Sequence, residues 1–262
     1  MTLHPDRIGG IVFDYGGTID SNGVHWSEVL RHVFSRAQAP VAKEAFREAY
    51  VHGERTLGTH PLVQPHHTFL DVLRLKADLQ VEWLRAHRAL TAEQATPALK
   101  RQIAAYGYAC ARRSVEAARP VIAALAEQYP LALVTNFYGN MASVLNDFGL
   151  DAFFPILIES AVCGVRKPDP QIFGLALEAL HLPAGKVAVI GDSYGKDILP
   201  AASLGCKTVW LKNTGWQTYT GNETADVIIS GFEELKTVFG IPQNTLLLQE
   251  RKKTWTDQSE IR

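Results

Sequence analysis

Five polar side chains, far apart in the sequence, together offer the parts that phosphoryl chemistry requires. Asp14 can act as a carboxylate nucleophile, Thr135 as a hydroxyl donor and Lys167 as a cation that offsets negative charge. Asp192 and Asp197 form an acid pair that can hold a divalent metal ion. Each residue alone has an ordinary explanation as a helix cap or a solvated loop side chain. As a set they are complementary, and the sequence therefore predicts one site that combines them.

These side chains follow, directly or through a loop, short apolar runs that are typical of buried strands. The predicted strands are Ile11–Phe13, Leu131–Val134, Phe154–Glu159, Val187–Ile190, Thr208–Leu211 and Val227–Ile229. Helical segments separate most of them, which predicts right-handed βαβ units and a mainly parallel sheet. The carboxyl ends of parallel strands lie at one edge, where open α/β sheets hold their ligands. The predicted fold class is therefore α/β with a Rossmann-like parallel sheet, whose edge gathers the five side chains.

Between residues 21 and 115 the sequence shows no strand pattern and is predicted to be all helical. Apolar residues recur at helical spacing from Trp26 to Phe34, and a weaker pattern continues from Phe46 to Tyr50. The stretch from Gly53 to His67 has two glycines, two prolines and no period, so we expect a loop there. The predicted organisation is an α/β core over residues 1–20 and 116–249, a helical insert over residues 21–115, and a polar tail over residues 250–262 with a composition typical of disorder.

The composition is that of an ordinary globular protein and narrows the choice of partners. The 262 residues are 47% hydrophobic and 20% charged, with a net charge of -1. This charge gives no long-range attraction to nucleic acid or anionic membranes, and no apolar run reaches the roughly 18 residues of a membrane span. The three cysteines lack disulfide or metal-ligand spacing and no signal-peptide pattern is present, which predicts a cytoplasmic protein. The oligomeric state stays open.

Four segments resemble, in order and spacing, motifs I to IV of the haloacid dehalogenase (HAD) superfamily of hydrolases. The segments are residues 13–18, 134–136, 165–173 and 189–197, of which the last two are similar to the patterns K-P-x-P-x-x-F and G-D-S-x-x-x-D. The similarity covers about the first 20 residues and residues 116–240, and it implies a HAD-like core. The helical insert directly follows motif I, where this family places its C1 cap. The resemblance therefore implies that residues 21–115 form such a cap.

The resemblance also implies a Mg²⁺-dependent hydrolase whose nucleophile is Asp14, which would form an aspartyl intermediate. One oxygen of Asp14, the backbone carbonyl of Gly16 and the carboxylate of Asp192 would hold Mg²⁺, a hard cation that prefers oxygen ligands. Asp197 would not bind the metal itself but would orient these ligands through hydrogen bonds and charge.

For the substrate, the resemblance implies a small phosphorylated molecule bound by groups opposite the metal. Lys167 would offset the charge between the nucleophile and the phosphoryl oxygens, while Thr135 and backbone amides would donate hydrogen bonds to them. Gly17 and Asn136 occupy motif positions that imply contacts with the same substrate.

One position departs from the family pattern of a phosphatase. The family has a second aspartate two residues after the nucleophile, which protonates the leaving group and later activates water, but this sequence has Gly16 there. Positioned acid–base catalysis contributes about 10²–10⁴-fold. Three outcomes follow: a phosphatase limited to good leaving groups such as acyl or aryl phosphates, a phosphatase in which Asp20, Tyr15 or His25 supplies the proton, or a catalytically silent protein that binds metal and phosphate. Metal-independent hydrolysis of carbon–halogen bonds is a further alternative.

The helical insert is expected to select the substrate. Arg55, His60, His66 and His67 lie on or beside the predicted loop, and one hypothesis is that part of this loop meets an anionic substrate. The alternative is that these are ordinary surface histidines. A metal pair formed by His66 and His67 is disfavoured, because no further ligand lies at a recognised spacing.

Overall fold

The computed structural model describes residues 3–213 and 224–242, and within these ranges six strands form a single sheet. The strands are β1 (Gly10–Phe13), β2 (Leu131–Thr135), β3 (Ile156–Glu159), β4 (Val187–Gly191), β5 (Lys207–Leu211) and β6 (Val227–Ile229). Their order is β3-β2-β1-β4-β5-β6, and every neighbouring pair is parallel. The predicted α/β class with a Rossmann-like parallel sheet is confirmed.

Strand β1 lies in the middle of the sheet, where it can present its carboxyl end to both neighbours. Phe13 is aligned with Leu133 of β2 on one side and with Ile190 of β4 on the other. The strand order reverses between β1 and β4, and open α/β sheets bind ligands at such a switch point. The polar residues that follow β1, β2 and β4 therefore lie side by side at one edge.

Nine α-helices accompany the sheet in the described part of the chain. They are α1 (Trp26–Arg36), α2 (Lys43–Thr59), α3 (Phe69–Ala86), α4 (Pro97–Ala126), α5 (Met141–Asp147), α6 (Ser160–Cys163), α7 (Gln171–Leu180), α8 (Leu199–Ser203) and α9 (Leu235–Val238). On one face of the sheet, Val12 packs in a cluster with residues of α7, whereas its neighbours Ile11 and Phe13 pack on the other face with residues of α4 and α5. The alternation along β1 thus buries both faces of the sheet.

The predicted helical insert consists of α1, α2, α3 and the first half of α4, without a strand between residues 21 and 115, all of which are described. A capping box formed by Thr68 and Asp71 begins α3, and the hydroxyl of Thr96 caps α4. The predicted boundary between residues 115 and 116 lies inside α4, which continues to Ala126. The chain therefore passes from the insert to the sheet along one helix. The predicted tail over residues 250–262 lies outside the described residues.

The prediction of a loop from Gly53 to His67 was wrong for its first part, since α2 continues to Thr59. Gly53 and Leu57 are buried and extend the apolar face that starts at Phe46. A Cβ on Gly53 would lie 3.4 Å from Cγ of Gln80 on α3, at ordinary van der Waals distance, so the two helices are in contact at this point. The loop begins only after the helix ends at residue 59. In the described ranges, no helix is both long and apolar enough to cross a membrane.

Candidate active site

Lys167 joins two of the predicted carboxylates in a buried ion-pair network. Its Nζ lies 2.6 Å from Oδ1 of Asp14 and 2.7 Å from Oδ1 of Asp197. Asp14 follows β1, Lys167 precedes α7, and Asp197 lies in a π-helical turn after β4. All three side chains are almost completely buried. The sheet thus brings together three charged residues that no local sequence pattern connects.

Thr18 links Asp14 to the fourth predicted residue, Asp192. The Thr18 hydroxyl donates to Oδ2 of Asp14 at 2.8 Å and lies 3.3 Å from Oδ1 of Asp192. The Thr18 hydroxyl oxygen also accepts from the backbone N–H of Asp192 at 3.0 Å. Thr18 was not predicted to be a site residue, although its place four residues after Asp14, beyond two glycines, was a usable signal.

The carboxylates fit a divalent cation. One oxygen each of Asp14, Asp192 and Asp197 lies within 4.8 Å of the other two, and hard cations such as Mg²⁺ prefer ligands of this kind. Gly17 makes the cluster possible: its φ is 98°, and a Cβ there would lie 2.5 Å from Oδ2 of Asp192. Asp197 uses Oδ1 for Lys167 and Oδ2 for the backbone N–H of Ser193 at 3.0 Å. Its hydrogen bonds therefore fit the supporting position that the family resemblance implies for it.

Burial and mutual repulsion shift the proton affinities of this cluster. Burial, reinforced by the charges of Asp14 and Asp197, raises the pKa of Asp192 well above its ordinary value. Burial raises the pKa of Asp197 to about 6, although the nearby Lys167 opposes that shift. Burial alone would lower the pKa of Lys167, but the charges of Asp14 and Asp197 outweigh it and raise that pKa. Lys167 therefore stays protonated, and a cation bound here would relieve the repulsion among the carboxylates.

The cluster forms one wall of a cavity of about 800 Å³, which also contains the predicted residues Thr135, Asn136, Gly16 and Gly17. Thr135 ends β2 and is buried. The Asn136 side chain donates to the backbone carbonyl of Lys167 at 3.0 Å and accepts from its N–H at 2.9 Å, so it holds the Lys167 loop. The backbone N–H of Gly17 donates to Asp20 and is therefore not free to bind the substrate. The predicted contact between Gly17 and the substrate is not supported.

The three candidate proton donors differ in their access to the cavity. Asp20 and His25 line it, and burial raises the pKa of Asp20 to about 7 while it lowers that of His25. Tyr15 is fully buried and is not among the cavity-lining residues, and burial raises its pKa well above the ordinary value. Asp20 and His25 therefore remain candidates on position, and Tyr15 does not.

The rest of the cavity lining comes from the helical insert and from the loop after β2, and its individual residues were not predicted. Lys76 of α3 lies 2.7 Å from Oε1 of Glu54 on α2, and Tyr138, which follows β2, donates to the other Glu54 oxygen at 2.7 Å. Aromatic residues complete this lining: Trp26, Tyr50, Phe69 and Phe137. The predicted loop residues Arg55, His60, His66 and His67 are described and do not line the cavity. The hypothesis that they meet the substrate is therefore not supported.

Parts of the chain are similar in sequence to curated proteins named as phosphatases. The chain is 38% identical over 104 residues to a glyceraldehyde 3-phosphate phosphatase of Pyrococcus abyssi, covering 38% of this chain and 43% of that protein. It is 34% identical over 82 residues to a phosphoserine phosphatase of Thermus thermophilus, covering 31% of this chain and 33% of that protein. The matches thus span less than half the length of these curated relatives.

A solved structure and a family model extend the comparison to most of the chain. The HAD hydrolase YfnB from Bacillus subtilis, crystallised with magnesium, matches 90% of this chain and 100% of that chain with a TM-score of 0.56 and 20% identity, which shows a shared fold. The family model described as haloacid dehalogenase-like hydrolase matches residues 8–205. That range contains the nucleophile position, the lysine loop and the acid pair. The chain therefore belongs to the haloacid dehalogenase-like hydrolase family.

Proposed function

We propose that this protein is a Mg²⁺-dependent phosphatase that releases phosphate from a small phosphorylated molecule through an aspartyl-phosphate on Asp14. The observation that supports it most strongly is the buried network of Asp14, Lys167 and Asp197, which Thr18 connects to Asp192. A nucleophile, a cation and a set of oxygen ligands share one wall of one cavity. The phosphatase names of the relatives support the same class of reaction.

In the first half of the reaction, Asp14 attacks phosphorus, and the bond from phosphorus to the leaving oxygen breaks. Two like charges would otherwise repel, and protonated Lys167 reduces this repulsion at a distance of 2.6 Å from the nucleophile. Thr135, buried at the end of β2, donates to the phosphoryl oxygens. Water then hydrolyses the acyl phosphate and frees Asp14 for the next turnover.

Asp14, Asp192 and the backbone carbonyl of Gly16 would hold Mg²⁺, with Asp197 fixing the surroundings through its bonds to Lys167 and Ser193. The bound ion would supply positive charge next to the transferred phosphoryl group. Without it, the excess of carboxylates over cations in this wall would disfavour a dianionic substrate.

The leaving group determines which phosphates are turned over quickly. Gly16 provides no carboxyl to protonate it, so an alcohol leaving as its strongly basic alkoxide is a poor substrate. A phenol has a pKa of about 10 and needs much less protonation. The aromatic side chains Trp26, Tyr50, Phe69 and Phe137 line the same cavity and suit an aromatic leaving group. We therefore propose aryl phosphates, or acyl phosphates, as better substrates than alkyl phosphates.

Residues 21–115 act in this proposal as a C1 cap on a core formed by residues 1–20 and 116–249. The cap contributes Arg47, Glu54 and Lys76 to the cavity, which adds charged groups to its lining. Selection of the organic part of the substrate follows from these side chains.

Turnover of phenyl phosphate, measured with Mg²⁺ and after its removal by a chelator, tests the proposal. We expect activity that requires the metal and that Asp14→Asn abolishes, while Asp151→Asn, an exposed control on the same protein, retains it. Metal-independent activity would contradict the metal part of the proposal. No turnover of any phosphate, with Mg²⁺ still bound, would instead favour the catalytically silent binding protein that the Gly16 position suggests.

A further inference from the structure

Asp20 uses its two carboxylate oxygens to hold two different parts of the molecule. Oδ1 accepts from the backbone N–H of Gly17 at 2.7 Å, and Oδ2 accepts from Nε1 of Trp26 at 2.8 Å. The side chain is 1% exposed, so these hydrogen bonds form away from bulk water. Asp20 is neither a predicted metal ligand nor a member of the carboxylate cluster.

The bond to Gly17 fixes the orientation of one peptide unit. The Gly16–Gly17 peptide is trans, and in a planar trans peptide the N–H and the preceding C=O point in opposite directions. Because the N–H points at Asp20, the carbonyl of Gly16 points away from it. Gly17 itself is packed against Asp192, where a Cβ would lie 2.5 Å from a carboxylate oxygen. The oriented peptide is thus next to the carboxylate cluster.

Two consecutive glycines do not fix this orientation by themselves. Glycine rotates freely about φ and ψ, and a Cβ on Gly16 would meet no atom within 4 Å. The carbonyl of Gly17 accepts from Gly23 at 2.6 Å, which restrains the next peptide but not this one. The carbonyl of Tyr15 accepts from the backbone N–H of Thr18 at 3.2 Å and closes a turn over Gly16 and Gly17, but the middle peptide of such a turn can face either way. Among the described residues, the bond to Asp20 is the side-chain hydrogen bond that selects one orientation of the Gly16–Gly17 peptide.

The other oxygen connects this restraint to the helical insert. Trp26 is the first residue of α1, and its ring packs against Phe69, the first residue of α3, with centroids 5.3 Å apart. The indole N–H satisfies the second oxygen of the buried Asp20 carboxylate, while the first accepts from Gly17. We propose that Asp20 is a positioning residue that aims the Gly16 carbonyl at the metal site, a role that rests on the proposed metal-dependent function.

Mg²⁺ titration by calorimetry, without substrate, tests this role in a matched series built on Trp26→Phe. Asp20→Asn/Trp26→Phe keeps an amide oxygen that can accept from Gly17, and no indole N–H then faces the amide nitrogen. Asp20→Leu/Trp26→Phe has a side chain of the same shape without an acceptor. We expect Trp26→Phe and the Asn variant to bind Mg²⁺ within about threefold of the unaltered chain, and the Leu variant to bind it at least about tenfold more weakly.

Three results would overturn the inference. Equal Mg²⁺ affinity in the Leu and Asn variants would show that the hydrogen bond is not needed, even if the Leu variant unfolds at a lower temperature. A loss beyond about tenfold in the Asn variant would assign the effect to the carboxylate charge instead of its geometry. If the Leu variant does not fold, the Mg²⁺ affinity of the Asn variant relative to the unaltered chain decides whether the inference holds. Failure of the unaltered chain to bind Mg²⁺ would refute the metal site and this role together, whereas binding without turnover would refute the proposed activity alone.

Discussion

Restoring an acid at residue 16 is the perturbation that most directly tests the proposed mechanism. Gly16 is exposed and lines the cavity, and a Cβ added there meets no atom within 4 Å. The Cβ of Gly16→Asp therefore fits without displacing a neighbour, at a position that lines the cavity. A positioned acid typically contributes about 10²–10⁴-fold in rate, which corresponds to about 3–5 kcal/mol of barrier.

The gain should depend on the leaving group. An alkyl phosphate expels a much stronger base than a phenol, whose pKa is about 10, so protonation assists the alkyl ester far more. We expect Gly16→Asp to raise kcat/KM for glycerol phosphate by about 100-fold or more and for phenyl phosphate by less than about tenfold. Steady-state assays with both substrates at saturating Mg²⁺ measure the ratio.

Gly16→Asn is the matched control, since it has nearly the same size and polarity but cannot protonate a leaving oxygen. We expect it to leave the ratio of alkyl to aryl turnover close to that of the unaltered protein. If Asn and Asp raise turnover equally, the gain comes from packing or substrate contact, and the explanation by a missing acid is wrong. If neither changes the rate for the alkyl ester, another group already supplies the proton.

The remaining predictions address the cluster and its surroundings. Lys167→Met should lower kcat/KM for phenyl phosphate by about 10²-fold or more, because the nucleophile loses its cation, and an activity within tenfold would contradict this role. Gly17→Ala should weaken Mg²⁺ binding in calorimetry at least tenfold, since φ is 98° and the new Cβ would lie 2.5 Å from Asp192. Burial raises the pKa of Asp20 from 3.8 to about 7, so the folded chain keeps a proton that the unfolded chain loses first. This group therefore stabilises the fold at low pH. Its contribution to the free energy of unfolding falls by about 3 kcal/mol as the pH rises from about 4.5 to about 7.5. In urea titrations of the metal-free protein at both pH values, the free energy of unfolding should fall less for Asp20→Asn than for the unaltered protein. Equal decreases in the two proteins would refute the assignment of this pH dependence to Asp20.

The sheet and the meeting of its strand ends could be predicted because the relevant signals are local. Each strand is a short apolar run that ends at polar or glycine residues, and parallel pairing then places Asp14, Thr135 and Asp192 at one edge. The edge also brings Lys167 next to Asp14, although the loop geometry that does so is not visible in the sequence.

The cavity wall formed by the helical insert could not be predicted in the same way. Lys76, Glu54 and Tyr138 come from three elements whose relative placement depends on how closely α2 and α3 pack. Gly53 lies buried at that contact, facing Gln80, yet in the sequence it interrupted the apolar pattern and suggested a loop. The continuation of α4 to Ala126 was hidden for a related reason, because a long helix passes from one packing partner to another without a local signal.

The contrast between residues 16 and 20 explains how a site can lose an acid without losing its geometry. In the proposed site, the metal needs only the backbone carbonyl at residue 16, which any residue type provides. The orientation of that carbonyl depends on Asp20, four positions further on, through the Gly17 N–H. A glycine at residue 16 thus removes proton transfer and leaves the nucleophile, Lys167 and the carboxylate ligands undisturbed. Under this mechanism, the range of substrates is limited by the basicity of the leaving group, while affinity for phosphate and metal is preserved.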